Sequence, residues 1–123
     1  MSLPGVFTVD EAREVLAGLL PVLARVVEVR ADVRELGEGF GGPLGGLPEL
    51  KAAQATLDDL LTQVQATGVE LKGIAPLLLD FPADLHGVPV LLCWLEGEPA
   101  LGWYHRADLG FAGRRPLPVG PGA

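Results

Sequence analysis

The pattern of apolar and polar positions opens on a helix signal. In "FTVDEAREVL", Thr8 stands where an N-cap belongs and Glu11 follows at capping-box spacing. Phe7, just before the cap, is placed to pack on the first turn, and Asp10, Glu11 and Glu14 put negative charge at the positive end of the helix dipole. Apolar residues then recur at Ala12, Leu16, Leu19, Leu23 and Val26, and again at Val33, in alternating steps of four and three. This is a heptad-like seam interrupted by Arg30. Val15, Leu20, Val22, Val27 and Val29 widen the apolar surface, so this helix is expected to meet more than one element. Pro21 removes the amide that would bond the Ala17 carbonyl, and a kink or short break is expected between residues 17 and 21.

"GEGFGGPLGG", residues 37–46, carries six glycines and a proline and reads as a flexible connector. It lacks the lysine and Ser/Thr of a phosphate-binding loop. A second helix follows in "LPELKAAQATLDDLLTQVQATG", with Pro48 in its first turn and Gly68 suited to end it. Leu50, Ala53, Leu57, Leu60 and Val64 form its seam, while Lys51, Gln54, Asp58 and Gln65 form a solvated face. Two seamed helices joined by a connector predict an antiparallel hairpin over residues 7–68.

Beyond Gly68 the period changes to that of strands. "VELKG" is a short strand or an extended connector, and "PLLLDFP" is a strand with Leu77, Leu79 and Phe81 on one face and Asp80 on the other. "ADLHG" is turn material, "VPVLLCWL" is the strongest strand, "EGEP" is a turn, and "ALGWYHR" is a third strand. An even hairpin loop pairs Trp94 with Trp103 and sets Cys93 on the face away from His105; an odd one pairs Cys93 with Trp103. The even loop is the expectation. The last stretch loses periodicity, with Phe111 as an anchor and residues 118–123 as a mobile tail. The fold class is therefore α+β in a single domain, residues 1–123: an N-terminal antiparallel helical hairpin, its first helix kinked near Pro21, packed on a small antiparallel β-meander within residues 69–117. Its apolar faces exceed what one small core can cover, which predicts a homo-oligomer, a dimer formed through the hairpin.

Composition narrows the function. The 123 residues are 49% apolar and carry a net charge of -7, from nine basic and sixteen acidic side chains. That field opposes nucleic acid and anionic membrane surfaces as partners. Cys93 is the one cysteine, so no internal disulfide forms, which fits a cytoplasmic protein. No signal peptide is expected at the N-terminus, and no apolar run reaches the length of a membrane helix.

Candidate chemistry gathers in "LLCWLEGEPALGWYHR" and just after it. Cys93 and His105 have the residue types of a nucleophile and its base, though strand alternation sets them apart. Asp84, His86, His105 and Asp108 offer divalent-metal ligand types at unspecific spacings. Asp80, Glu96 and Glu98 are acid–base candidates. Arg106, Arg114 and Arg115 form a basic cluster in an acidic chain, placed to hold an anion beside Trp103 and Tyr104 or to pair with Asp80, Asp84 or Asp108. The candidate ligand-binding residues are thus Asp80, Trp103, Tyr104, His105, Arg106, Arg114 and Arg115, with no catalytic residue, metal ligand or cofactor assigned.

The segments "FTVDEAREVL", "TGVELKG", "LLLDFPA", "LLCWLEGEP" and "WYHRADLGFAGRRPL" together resemble a bacterial family of uncharacterised proteins, domain of unknown function 2203. The resemblance spans roughly Phe7 to Leu117 and implies helices followed by a small β region in a bacterial protein, with no activity to carry over. Members often have an acidic residue directly after the histidine of "WYHR", where this chain has Arg106, so His105 is not expected to join an acidic metal cluster. Two functions follow as expectations: a non-enzymatic, self-associating structural or interaction protein, or a small-molecule or anion binder, an enzyme or divalent-metal binder included, built around Trp103, His105 and Arg114.

Overall fold

Thr8 caps the first helix as its spacing predicts. Its hydroxyl accepts the Glu11 N–H at 3.0 Å, and the Glu11 carboxylate accepts the Thr8 N–H at 2.8 Å. The computed structural model describes residues 6–38 and 46–118, so the middle of the expected connector (39–45) and the end of the expected tail (119–123) lie outside the described residues. Helix α1 spans Val9–Glu38 without interruption at Pro21, and α2 spans Leu47–Gln65 with Pro48 in its first turn. The chain divides into two compact units. One draws on the chain up to Gly18 and from Thr67 onward; the other is Leu19–Ala66.

The α1 seam is buried from Ala12 through Leu16, Leu19 and Leu23 to Val26, and then continues at Val29. In α2 the seam residues Leu50, Ala53, Leu57 and Leu60 are half-buried and Val64 is fully buried, while most other positions are exposed.

The second half forms five antiparallel strands in sequence order, more than the three expected: β1 (Glu70–Ile74), β2 (Leu77–Leu85), β3 (Val88–Leu95), β4 (Trp103–Arg106) and β5 (Arg115–Pro116). "VELKG" supplies β1, and β5 is too short to show a period. β2 also runs further than its flanking prolines suggest, through Pro82 to Leu85. The Pro82 carbonyl accepts the Phe7 N–H at 2.7 Å. In a strand, a residue's N and O point to the same side, so the missing Pro82 N–H faces Phe7 and costs no bond to β3. The turn after β2 therefore shrinks to His86 and Gly87, both with positive φ (52° and 84°), as a two-residue hairpin requires.

One face of the sheet carries Leu77, Leu79, Phe81, Val90, Leu92 and Trp94, all buried. Phe7 meets Phe81 there edge-on, with centroids 5.4 Å apart. The other face carries Leu78, Asp80, Leu91, Cys93, Leu95, Trp103 and His105. The candidate chemistry lies on that second face.

Candidate functional site

The β3–β4 connection decides which residues meet. Leu95 to Glu98 form a turn in which the Glu98 N–H donates to the Leu95 carbonyl at 3.0 Å, with Gly97 at φ 96°. The Glu98 carboxylate accepts the Leu95 N–H at 2.7 Å, and its carbonyl accepts the Trp94 indole N–H at 2.9 Å. The chain does not then re-enter the ladder at once. Leu101 is buried, Arg13 Nε donates to its carbonyl at 3.5 Å, and the Gly102 carbonyl accepts the Leu117 N–H at 2.8 Å. β4 starts only at Trp103, and the register pairs Cys93 with Trp103 and Leu91 with His105. The expected Trp94–Trp103 pair is thus replaced, because the connection is longer than "EGEP" and odd in length. Trp94 is buried on the opposite face, and Cys93 shares a face with His105.

Asp80 is the cross-strand partner of Cys93 from the other side. Asp80, Cys93 and His105 therefore come from three adjacent strands, and all are buried. One potential ligand atom from each lies within 4.8 Å of the others, the group of this kind found among the described residues. His105 Nε2 stands 3.3 Å from Asp80 Oδ1, and Nδ1 stands 3.0 Å from the Arg106 carbonyl. A carbonyl only accepts, so Nδ1 carries a hydrogen and Nε2 is the atom turned to Asp80. Nε2 thus has Asp80 Oδ1, and not Cys93 Sγ, as its hydrogen-bond partner. Burial, reinforced by the Asp80 carboxylate, pushes the Cys93 thiol up to about 11, which holds it in the neutral form. The nucleophile–base reading has the residues together without the chemistry it needs.

Arg114 closes the same face. Its guanidinium lies 4.8 Å from the ring centroids of both Trp103 and Phe111, and Nη2 bonds Glu98 Oε1 at 2.6 Å and the Cys93 carbonyl at 3.4 Å. Arg114 Nε is buried with no hydrogen-bond partner among the described residues. The other candidates do not join it. Arg106 is exposed and grips Asp108 with two bonds of 3.1 Å. Tyr104 is half-buried on the opposite face, where it pairs with exposed Arg115. Asp84 Oδ1 accepts the Gly87 N–H at 2.7 Å at the hairpin tip, beside exposed His86, while Glu96 accepts the Leu77 N–H at 2.9 Å. Asp84, His86 and Asp108 are thus apart from His105, and Asp80 takes His105 as its partner in place of an arginine.

Next to the buried group, the cross-strand pair Leu78–Leu95 lines an apolar depression of about 390 Å³. Gly73, Ala75, Pro76 and Phe111 complete its lining. Glu98 and Phe111 matter here more than their sequence context suggests. The signal for Glu98 was its place in a turn beside Gly97, which hides the contact to Arg114 sixteen residues away.

The fold and site define an α+β protein with a five-stranded meander bearing a buried Asp–Cys–His group. The chain belongs to the family described as "Uncharacterized conserved protein (DUF2203)", whose model matches residues 5–117. Neither a curated protein nor a solved structure matches it. No helix among the described residues is long and apolar enough to cross a membrane.

Proposed function

We propose that this is a self-associating interaction protein, cytoplasmic and bacterial, in which two copies meet through the sheet face that holds the apolar depression. The observation that carries this reading is the pairing of a hollow with projecting apolar side chains. Phe111, which lines the depression, is 44% exposed, and Trp103 on the same sheet face is 36% exposed, with Leu109 (51%) just before Phe111 in the chain. Clustered exposed apolar surface marks interaction sites. A face with both a hollow and a projecting ring is self-complementary, which a two-fold contact requires: Phe111 of each copy enters the depression of the other. Arg114 and Arg106 are paired with Glu98 and Asp108, which argues against an anion site on this face. The helical hairpin, the dimer surface expected from the seams, is the alternative that the same experiment tests.

Sedimentation equilibrium from about 1 to 100 μM, the range of micromolar affinities, tests the reading. A monomer–dimer equilibrium is expected, abolished by Phe111→Glu and unchanged by Leu47→Glu on the helical unit. A monomer at every concentration overturns it, and so does a dimer broken by Leu47→Glu but not by Phe111→Glu.

A further inference from the structure

We propose that Asp80, Cys93 and His105 bind a single divalent transition-metal ion of the zinc type, each residue giving one ligand. The three side chains are carried by neighbouring strands in register, Asp80 against Cys93 and His105 against Leu91, so their positions are set by the ladder and not by a mobile loop. Their ligand atoms lie within 4.8 Å of one another, and His105 Nε2 to Asp80 Oδ1 is 3.3 Å. Metal–ligand bonds of about 2.0–2.3 Å place the ligands of a tetrahedral ion about 3.3–3.8 Å apart. One edge of that tetrahedron is already at its length, and the others close by small side-chain rotations.

The histidine has the outer support that a metal ligand needs. Its Nδ1–H is held by the Arg106 carbonyl at 3.0 Å, which fixes the ring and leaves Nε2 as the ligand atom, its lone pair freed when the ion displaces the proton held between Nε2 and Asp80 Oδ1. Three electron-pair donors then point at one buried spot. The cationic side chains nearest to it are held by their own carboxylates, Lys72 by Glu70 at 2.9 Å and Arg114 by Glu98 at 2.6 Å. A carboxylate and a thiolate balance the two charges of the ion, which suits a site with little access to water. One nitrogen, one sulfur and one oxygen select a borderline ion and exclude magnesium and calcium, which take oxygen ligands. Three protein ligands leave the fourth position for water. This inference is independent of self-association, because none of the three ligands lines the apolar depression.

Chelator-treated protein titrated with cobalt(II), a spectroscopic stand-in for zinc, tests the proposal. One equivalent is expected to produce a thiolate-to-cobalt charge-transfer band and the strong visible bands of a tetrahedral ion, both removed when one equivalent of zinc(II) is added. Cys93→Ser is expected to abolish the charge-transfer band. His105→Gln and Asp80→Asn are each expected to weaken cobalt binding at least about tenfold, while His86→Gln leaves it unchanged; circular dichroism of each variant checks that the sheet is intact. A wild-type protein that gives no charge-transfer band overturns the proposal whatever the variants do. Folded His105→Gln and Asp80→Asn proteins with wild-type cobalt affinity overturn it equally.

Discussion

His105 Nε2 and Asp80 Oδ1 face each other at 3.3 Å with both side chains about 95% buried, the innermost polar pair among the described residues. Removing one member leaves the other in a dry setting without its partner, which is costlier than never having buried either. Asp80→Ala in metal-free protein is therefore expected to lower stability by about 3 kcal/mol, read from urea denaturation. Asp80→Asn keeps a hydrogen-bonding group and should cost about half as much. A double-mutant cycle with His105→Gln is expected to give a coupling of about 1 kcal/mol or more. A coupling indistinguishable from zero would mean that the two side chains are buried side by side without depending on each other.

Local signals in the sequence carried through to structure where the interaction is local. Thr8 and Glu11 are three residues apart, and the seam of α1 repeats within one helix, so both were legible. The alternation of β2 and β3 was legible too, placing Asp80 opposite Leu79 and Phe81. The register between β3 and β4 was not. It depends on Leu101 being buried and on the Gly102 carbonyl bonding Leu117, a residue fifteen positions away in a stretch with no periodicity. That single parity separates two sites: Trp94 with Trp103, or Cys93 with Trp103 and His105. In the helical half, α1 continues through Pro21 without a break, the amide it lacks being one bond among many in a long helix.

The Arg114 guanidinium lies 4.8 Å from the ring centroids of both Trp103 and Phe111 and is bonded to Glu98, with both charged side chains at most 20% exposed. Contact with two aromatic rings together with a short ion pair suits the broad, multi-donor guanidinium better than a compact ammonium. Arg114→Ala is expected to destabilise the protein by about 2 kcal/mol, and Arg114→Lys to recover less than half of that loss. Because the pair is largely shielded, the effect should persist in high salt. Thermal melts of the three proteins at low and high ionic strength check both points; full recovery by lysine would show that charge alone matters at this position.

The reciprocal bonds between Thr8 and Glu11 satisfy two backbone donors, including one of the first turn of α1. Thr8→Ala should cost about 1 kcal/mol, and Thr8→Ser should cost much less because the hydroxyl is kept. Denaturation midpoints of the pair measure this directly. Equal losses for alanine and serine would place the effect in the threonine methyl group and not in the cap.

Cys93 gives the protein an alkaline limit. Burial, then the Asp80 carboxylate, raise its thiol to about 11 against an ordinary value of 9.0, and the Arg114 guanidinium opposes this only in part. The folded, metal-free protein thus holds the thiol proton more tightly than the unfolded chain does. The stability this contributes is complete below pH 9, declines between pH 9 and 11, and amounts to about 3 kcal/mol once lost. Stability measured across that range should fall more steeply for the wild type than for Cys93→Ala, which has no proton to lose. The same burial predicts that iodoacetamide at pH 8 alkylates Cys93 at the rate of global unfolding and not at the rate of a free thiol. Rapid alkylation of the folded protein, or parallel pH profiles for the two proteins, would show that the thiol is open to solvent and that the sheet face above it is not closed.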